Sequence, residues 1–520
     1  MRRALWTLAA CAAVCLAFRS PGATLDAGSQ QQRREHQQFE WPLSLQSAVR
    51  HLAVGRNGDI VVTGDTWDAA FPTTPDAVQT ACSRAAFGYC FSPFLSVLSP
   101  TGDVQYSTFI GGDSERPIVQ AKPDADGDIV LLLGRWESGN MPHPRPSLVL
   151  GEPPSPTGCS RDRPLLARLR PGDHVYHDQR CLEWPGLEFV TQLRGVVGHD
   201  GSVWLAGRTS GPVPTVNAWQ PAGAGGDDVF IVHYGAARSD AALATYVGGS
   251  DQDWPMDLAV APDGDLVVAG GTMSADFPAV RPAQDGFSGA GFGVGDACLF
   301  RLDVSGRWLE YSTWLGGSGQ DGATAVSTDR AGNAFVVGVT ASTDFPVTAG
   351  AVRTRNAPAG TWDAFLAGVD PTGRLRLSTL IGASGQDDAD AVSVWDDGSV
   401  LIVGETTSID LPQVGPVPHV QPARPPYGFP FFVRVDSLGC AFCRSTPIPV
   451  HTGHLADLDD QGAALSRTLE AVAFDGDYVY VAGRTAVWTW PGPDIRDTGH
   501  YVKKWYVGEE SSREPPANRR

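Results

Sequence analysis

The amino-acid sequence predicts an all-β fold, a seven-bladed β-propeller of four-stranded antiparallel blades. Three observations lead to this prediction. A strand motif bounded by glycines recurs seven times in the 520 residues, at intervals of about 70 residues. Each repeat contains four strand-like runs separated by turn residues. With 60 Gly, 40 Pro and only 19% charged residues, the composition is typical of short strands joined by tight turns rather than of disorder.

The first 28 residues are predicted to be a cleaved signal peptide. Arg2 and Arg3 precede the apolar run Ala4–Phe18, and the breakers Pro21 and Gly22 follow it. This order is typical of secretory signals, and the run is short for a membrane span. We therefore expect no membrane span and a secreted, periplasmic or cell-surface location. The net charge of −19 disfavours nucleic acid as a partner.

The recurring motif consists of Gly, a small polar or acidic residue, alternating apolar residues and a closing Gly. The fifth copy predicts strands at Ala323–Asp329, Ala334–Gly338, Asp363–Asp370 and Leu375–Ile381, because β-branched and aromatic residues fill these runs. The propeller is expected to cover residues 39–508, followed by a polar, disordered tail at residues 509–520. The closing glycines of the seven copies are Gly64, Gly134, Gly207, Gly270, Gly338, Gly404 and Gly483.

The two ends of the chain are predicted to complete one blade together. The last repeat has only three strand-like runs, Thr468–Phe474, Asp477–Gly483 and His500–Val507. The segment Phe39–Leu45 stands before the first repeat, where other repeats have their fourth strand. A strand from the N-terminus would close the ring and remove a free sheet edge, so we expect a monomer.

Four segments of the fifth repeat resemble the SBBP β-propeller repeat of bacterial proteins. They are Tyr311–Ala325 (YSTWLGGSGQDGATA), Gly332–Gly338, Thr340–Pro346 (TASTDFP) and Asp363–Gly373. The resemblance implies a secreted or surface propeller and no particular chemistry. The stretch GGSGQD also fits the start of the calcium-binding β-roll nonapeptide, but the long repeat period excludes that fold.

Candidate binding residues lie on the face that carries the longer loops, here called the long-loop face. Tight turns join strands 1–2 and 3–4 on the opposite face, and binding residues concentrate in longer loops. Trp67 and Trp254 could stack on sugars or pack between blades. The acidic residues could bind a cation such as Ca²⁺ or a basic partner, or each could cap its own turn. These acidic residues are Asp113, Asp251, Asp253, Asp321, Asp387 and Asp388.

The cysteines are predicted to be structural. Cys82 and Cys90 both lie in the first long loop and could form a disulfide there. Cys159 and Cys181 flank a predicted hairpin, which would bring them side by side as disulfide geometry requires. Cys298 aligns with buried strand positions and is expected to be an unreactive thiol.

The function expected from the sequence is that of a secreted binding scaffold for protein or glycan, acting through the long-loop face. The alternative is a polysaccharide hydrolase or lyase with its site at the mouth of the central channel, and a third option is a purely structural module. An enzyme would need ionisable groups with shifted pKa values that converge at the channel mouth. No cofactor other than Ca²⁺ is suggested.

Overall fold

A computed structural model gives the structure of the protein, and residues Phe39–Arg520 form one compact unit in it. The predicted signal peptide and polar tail lie outside the described residues. The structure describes residues 47–55, 57–82, 90, 92–110, 118–124, 126–134, 163–173, 175–236, 238–289, 295–354, 361–395, 398–408, 410–411, 429–435, 450–454, 466–475, 478–489 and 494–506.

The chain forms six four-stranded antiparallel sheets whose strand order follows the sequence. The first two are β1 (Ser47–Val54), β2 (Ile60–Thr66), β3 (Ser92–Leu98), β4 (Val104–Phe109), and β5 (Ile118–Pro123), β6 (Ile129–Leu133), β7 (Leu165–Leu169), β8 (Tyr176–Cys181). The third is β9 (Thr191–Val197), β10 (Val203–Thr209), β11 (Asp228–Tyr234), β12 (Leu243–Val247).

The fourth sheet is β13 (Asp253–Val260), β14 (Leu266–Thr272), β15 (Asp296–Leu302), β16 (Leu309–Leu315). The fifth is β17 (Asp321–Thr328), β18 (Ala334–Thr340), β19 (Asp363–Val369), β20 (Leu375–Ile381). The sixth is β21 (Asp387–Val394), β22 (Val400–Thr406), β23 (Phe429–Val435), β24 (Val450–His454). A last sheet has three strands, β25 (Ser466–Asp475), β26 (Tyr478–Thr489) and β27 (Asp494–Tyr506).

The prediction of seven four-stranded blades is wrong. Among the described residues, six sheets have four strands and the last sheet has three. The glycine motif occurs in the first hairpin of each repeat, so counting it counts hairpins rather than complete blades. In the last repeat, β27 pairs along the whole length of β26. The segment Phe39–Leu45, which was predicted to close the ring, lies outside the described residues.

The sheets are arranged around an axis, with the first strand of each sheet innermost. β1 contacts β5, β5 contacts β9, β9 contacts β13, β13 contacts β17 and β17 contacts β21. The three-stranded sheet lies between the sixth blade and the first, because β25 contacts both β23 and β1. We refer to these first strands as the inner strands.

Apolar clusters hold neighbouring sheets together. The middle strands β11 and β15 are buried along their whole length. Trp204 and Ile231 of the third blade pack with Val268 and Phe300 of the fourth in one cluster. Each blade thus buries both faces against its neighbours, as a propeller requires.

Tight turns join the first two strands of each blade. In the fifth blade, Asp329 Oδ1 accepts hydrogen bonds from the backbone N–H groups of Ala331 and Asn333, at 2.9 and 2.8 Å. Gly332 has a φ of +79° there, a conformation that favours glycine. These turns lie on the face opposite the long loops, because the strands are antiparallel.

The disulfide predicted in the first long loop is confirmed. Cys82 and Cys90 are bonded, with their Cα atoms 5.9 Å apart. Cys181 is also disulfide-bonded, whereas Cys159 lies outside the described residues. Cys298 is a buried free thiol, and burial raises its pKa, which agrees with an unreactive side chain. No helix in the described part of the chain is long and apolar enough to cross a membrane.

Candidate functional site

Three of the six predicted acidic residues belong to a hydrogen-bond network that builds the long-loop face. In the fifth blade, Asp321 Oδ2 accepts hydrogen bonds from Gly317 N (2.7 Å) and Ser342 Oγ (2.7 Å). Ser342 Oγ also accepts from Gly319 N at 2.8 Å. We call the segment that leads from the last strand of one blade to the first strand of the next a crossing. The network therefore ties the crossing between β16 and β17 to the loop that follows β18.

A second aspartate completes this network. Asp344 Oδ1 accepts hydrogen bonds from Ser318 N (2.8 Å) and Ser318 Oγ (3.0 Å). These bonds lower the pKa of Asp344 and keep it ionised. The G-G-x-G and S-x-D-F-P motifs of the sequence are thus the two halves of one structural unit.

The same network occurs in three blades. In the fourth blade Asp253, Ser274 and Asp276 take the places of Asp321, Ser342 and Asp344. In the sixth blade the equivalent residues are Asp387, Ser408 and Asp410. All three inner-strand aspartates are buried, so this arrangement favours the turn-capping role over direct contact with an external ligand.

The remaining predicted residues have different environments. Asp251 and Asp388 are exposed, and Trp67 is 44% exposed. Trp254 is half-buried and lies across Gly271, where an added Cβ would be only 2.4 Å from its ring. Asp113 lies outside the described residues. Binding by these residues stays a prediction.

Buried aspartates at the start of the third strands flank the same crossings. A Cβ added at Gly316 would lie 2.6 Å from Asp296 Oδ1 and 2.8 Å from Asp321 Oδ2. The pKa of Asp296 is raised to about 7. Burial is the largest cause, and the neighbouring carboxylate of Asp321 also raises it. The first glycine of GGSGQD is required because the two carboxyl groups leave no room for a side chain.

Each inner strand contains a β-bulge, which redirects a side chain at mid-strand. The bulges leave one residue unpaired on the inner strand, where its side chain can turn towards the axis. The residues passed over in the pairing are Arg50 in β1, Val119 in β5, Met256 in β13, Thr324 in β17, Asp390 in β21 and Glu470 in β25. In β9 the register shifts between Thr191 and Arg194.

Side chains near the bulges link several inner strands to the next blade. Thr324 Oγ1 donates to the carbonyl oxygen of Ala389, and His51 Nε2 is 2.8 Å from the carbonyl oxygen of Ile118. Arg194 Nε donates to Met256 O at 3.0 Å, and Asp257 Oδ2 accepts from Val326 N at 2.9 Å. These links fix the positions of the charged groups around the axis.

On the inner strands of the six four-stranded blades, the charged groups are segregated by sign. The first three blades contribute Arg50, Lys122 and Arg194, and the fourth and sixth contribute Asp257, Asp388 and Asp390. Arg50 and Arg194 both act on His51, whose pKa is lowered by burial and by these two positive charges. The axis therefore has a basic sector and an acidic sector.

The acidic sector contains groups with raised pKa values. The side chain of Asp390 is exposed, yet its pKa is raised to about 7. Desolvation by the surrounding protein is the largest cause, and the negative charges of Glu405 and Asp388 add to it. Burial raises the pKa of Asp257 to about 6.

The sequence reasoning missed Arg50, Arg194, Asp257 and Asp390. All four lie inside inner strands, whereas the candidates predicted from the sequence were placed in loops. The available signal was a polar residue at a position where the alternation of the strand breaks, as in DDADAV of β21. A group of three or more side chains able to hold a metal ion is absent among the described residues.

Comparison with known proteins supports the fold. Residues 310–346 match the family model of the SBBP β-propeller repeat, which confirms the resemblance seen in the sequence. No curated protein matches the chain.

Several solved structures are similar in fold alone. A protein of unknown function from Dyadobacter fermentans DSM 18053 is 12% identical, with a TM-score of 0.36 and coverage of 91% of this chain and 99% of that one. A polysaccharide lyase, the PL25 ulvan lyase bound to -[GlcA(1-4)Rha3S]-, is 10% identical, with a TM-score of 0.41 and coverage of 91% and 96%. YCF48 bound to D1 peptide is 8% identical, with a TM-score of 0.37 and coverage of 91% and 95%.

Proposed function

Starting from a β-propeller that carries an SBBP repeat, we propose that this protein is a secreted binding module. Its ligand is a protein or glycan that it holds at the axis on the long-loop face. The separation of positive and negative side chains on the inner strands supports this proposal. Such a surface binds a ligand that carries charges of its own, since complementary charge gives specificity and faster association.

The long-loop end of the axis is where a large ligand has access. Asp388 lies at the start of β21, and Arg50 forms an ion pair with Asp65 at the end of β2, with Nε and Oδ2 3.1 Å apart. Trp67 follows directly after β2 and is 44% exposed. The three repeated networks hold the surrounding loops in place, so these loops lose little conformational entropy when a ligand binds.

A secreted location is part of the proposal. The disulfide between Cys82 and Cys90 stabilises a loop of this face, and disulfides persist in oxidising compartments. The predicted signal peptide agrees with export but lies outside the described residues.

The test is a pull-down of cell-surface proteins and a glycan-array screen with the full chain, followed by affinity measurement on each ligand found. The Asp388→Asn/Asp390→Asn double variant should weaken binding about tenfold at a pH above 7, where Asp390 is mainly ionised, because it removes both acidic groups from the acidic sector. Asp126→Asn, an exposed change in the β5–β6 turn on the opposite face, is the matched control.

Equal affinity of the double variant and the wild type for every ligand found would contradict the proposal. A similar loss in the Asp126→Asn control would also contradict it, because the effect would then not belong to the long-loop face. Binding of proteins alone or of glycans alone would identify the ligand class.

A second candidate, polysaccharide cleavage, is favoured by one observation. Asp390 has a pKa raised to about 7 in the neighbourhood of the Glu405 carboxylate. A carboxyl group that is protonated near neutral pH can serve as a general acid beside a second carboxylate. Release of reducing ends or unsaturated products from acidic and neutral polysaccharides, lost in Asp390→Asn, would establish it. No release by the wild type would reject it.

A further inference from the structure

Two of the blade crossings bring two buried carboxyl groups together without a basic side chain. Asp228 and Asp296, which begin β11 and β15, face Asp253 and Asp321 across a glycine. A Cβ added at Gly248 would lie 1.9 Å from Asp228 Oδ1 and 2.8 Å from Asp253 Oδ2. The second pair flanks Gly316 in the same way, as described above.

In each pair, the aspartate that begins the third strand has one carboxylate oxygen without a donor. Asp228 Oδ2 accepts from Ala224 N and Asp296 Oδ2 accepts from Ser288 N, both at 2.9 Å. Among the described residues, Oδ1 of Asp228 and of Asp296 accepts no hydrogen bond. These two residues are only 2% and 0% exposed. A buried carboxylate oxygen without a donor is costly, so a proton or another donor at this oxygen would stabilise the fold.

The third copy of the crossing has a resident positive charge. Arg353 Nη1 lies 3.4 Å from Asp363 Oδ2 and donates to Ala383 O at 3.0 Å. Asp363 begins β19 and faces Asp387 across Gly382, where an added Cβ would be 2.6 and 2.7 Å from their carboxylate oxygens. One guanidinium therefore balances this pair.

The other two copies have glutamine in the place of Arg353. The backbone N–H of Gln220, Gln284 and Arg353 each reaches the hydroxyl of the equivalent fourth-strand threonine, namely Thr245, Thr313 and Thr379. The side chains of the two glutamines accept from Gly248 N and Gly316 N, at 3.2 and 3.0 Å. They bring no charge to the pair.

The surrounding charges are negative as well. Asp276 and Asp344 are kept ionised by Ser250 and Ser318, and they raise the pKa values of Asp228 and Asp296 respectively. Asp227 is ion-paired with Arg208 and is a further negative neighbour of Asp228. The thiol of Cys298, near Asp253, has a raised pKa and is neutral.

We propose that the Asp228–Asp253 and Asp296–Asp321 pairs are proton-binding sites, each holding one proton between its two carboxyl groups. The proton supplies the positive charge that Arg353 provides at the Asp363–Asp387 pair. A protonated carboxyl group becomes a donor, so it satisfies its own unpaired oxygen and the carboxylate opposite. Two carboxylates that share a buried site cannot both ionise readily.

The shifts in pKa agree with this assignment. Burial, as the largest cause, raises the pKa values of Asp253 and Asp296 to about 7 and also raises those of Asp228 and Asp321. The geometry is poor for a metal ion. Oδ2 of Asp253 already accepts from Gly249 N and Ser274 Oγ, and hard cations such as Ca²⁺ require six or more oxygen ligands.

The sites link folding to pH. Above a pH of about 4, the ordinary pKa of Asp, the folded chain retains protons that the unfolded chain releases. The free energy of unfolding should therefore fall as the pH rises from about 4 to about 7 and level off above the folded pKa values of about 7.

Infrared spectroscopy of the full chain tests the proposal directly. Near neutral pH, a difference spectrum of the wild type against Asp228→Asn, and one against Asp296→Asn, should each contain a carboxylic-acid C=O band. The equivalent change at the arginine-containing pair, Asp363→Asn, should remove no such band. The asparagine side chain has the shape of aspartate and donates the missing hydrogen bond, which favours folding of the variants.

Absence of the band from both difference spectra would overturn the proposal. A charge-restoring variant provides an independent measurement, since Gln284→Arg should weaken the dependence of unfolding on pH between about 4 and 7. An unchanged dependence in a folded Gln284→Arg variant would also count against it. A rise in melting temperature with Ca²⁺ in the wild type, abolished by chelator and absent from Asp228→Asn/Asp296→Asn, would assign the sites to a metal ion instead.

Discussion

At the scale of single residues, the crossings between blades are governed by the space around glycine. Gly316 and Gly322 lie six positions apart on either side of Asp321, but their surroundings differ. A Cβ at Gly316 would be within 2.8 Å of the oxygens of two buried carboxyl groups. No atom lies within 4 Å of a Cβ added at Gly322. The structure thus requires a glycine at position 316, as it does at Gly317 and Gly319, but tolerates a side chain at position 322.

This contrast gives a direct prediction for stability. Gly316→Ala should lower the free energy of unfolding by about 2–3 kcal/mol, because the new methyl group must displace Asp296 or Asp321. Gly322→Ala should change it by less than about 0.5 kcal/mol. Urea unfolding of both variants and the wild type measures the difference. Equal stability of the two variants would show that the crossing adapts to a side chain.

At the scale of elements, the unit of the long-loop face is a crossing together with the loop after the second strand. Asp344 joins the two in the fifth blade by accepting from the backbone and side chain of Ser318. Equivalent bonds recur in the fourth and sixth blades, so the same contact joins the crossing to the following loop there.

Loss of the Asp344 carboxylate should loosen this unit without unfolding the blade. In Asp344→Ala, the amide of Ser318 should exchange its hydrogen faster, whereas amides of β18 such as Val336 should keep their protection. Hydrogen exchange followed by mass spectrometry measures both segments. The effect should be mimicked in the wild type at acid pH, because the pKa of Asp344 is lowered and protonation removes its acceptor charge only below about pH 4. Unchanged exchange at Ser318 would refute the role of Asp344.

Local sequence patterns predicted the strands of the fifth repeat well. β20 has the predicted bounds Leu375–Ile381, and β19 ends one residue before the predicted Asp370. β17 begins two residues earlier than predicted, at Asp321, because the acidic residue that resembled a loop ligand is the first residue of the inner strand. Bulges were not predicted, since they depend on pairing between strands, so Asp390 and Arg50 were not recognised as axial residues.

At the scale of the whole molecule, stability depends on the contacts between sheets. The first blade and the three-stranded sheet share one apolar cluster, in which Phe94 and Val62 pack with Tyr480 and Val502. The repeat period predicted a ring of this kind. The repeat period overstated the number of four-stranded blades because each glycine motif marks one hairpin only. Whether two further strands complete the sheet depends on pairing with segments distant in sequence.

Truncation in this cluster should weaken the ring. Tyr480 is fully buried, so Tyr480→Ala should lower the free energy of unfolding by about 3–5 kcal/mol through lost burial and the cavity left behind. Trp308→Ala, a large aromatic residue that is 67% exposed, should have an effect below about 1 kcal/mol. Thermal and urea unfolding provide the comparison. Similar losses in both variants would show that the three-stranded sheet does not contribute to global stability.

The hydrogen bonds between inner strands have a consequence for how such a chain can evolve. Arg194 and Thr324 each donate to a main-chain carbonyl of the next blade, and Asp257 accepts from a main-chain amide. Every residue offers these main-chain groups, so the receiving blade can change its side chains without breaking the joint. A donor such as Arg194 or Thr324 can be replaced by another donating side chain, and the acceptor Asp257 by another accepting side chain, while the main-chain partner stays the same. The chemistry of the axis is therefore free to vary while the joints between blades persist.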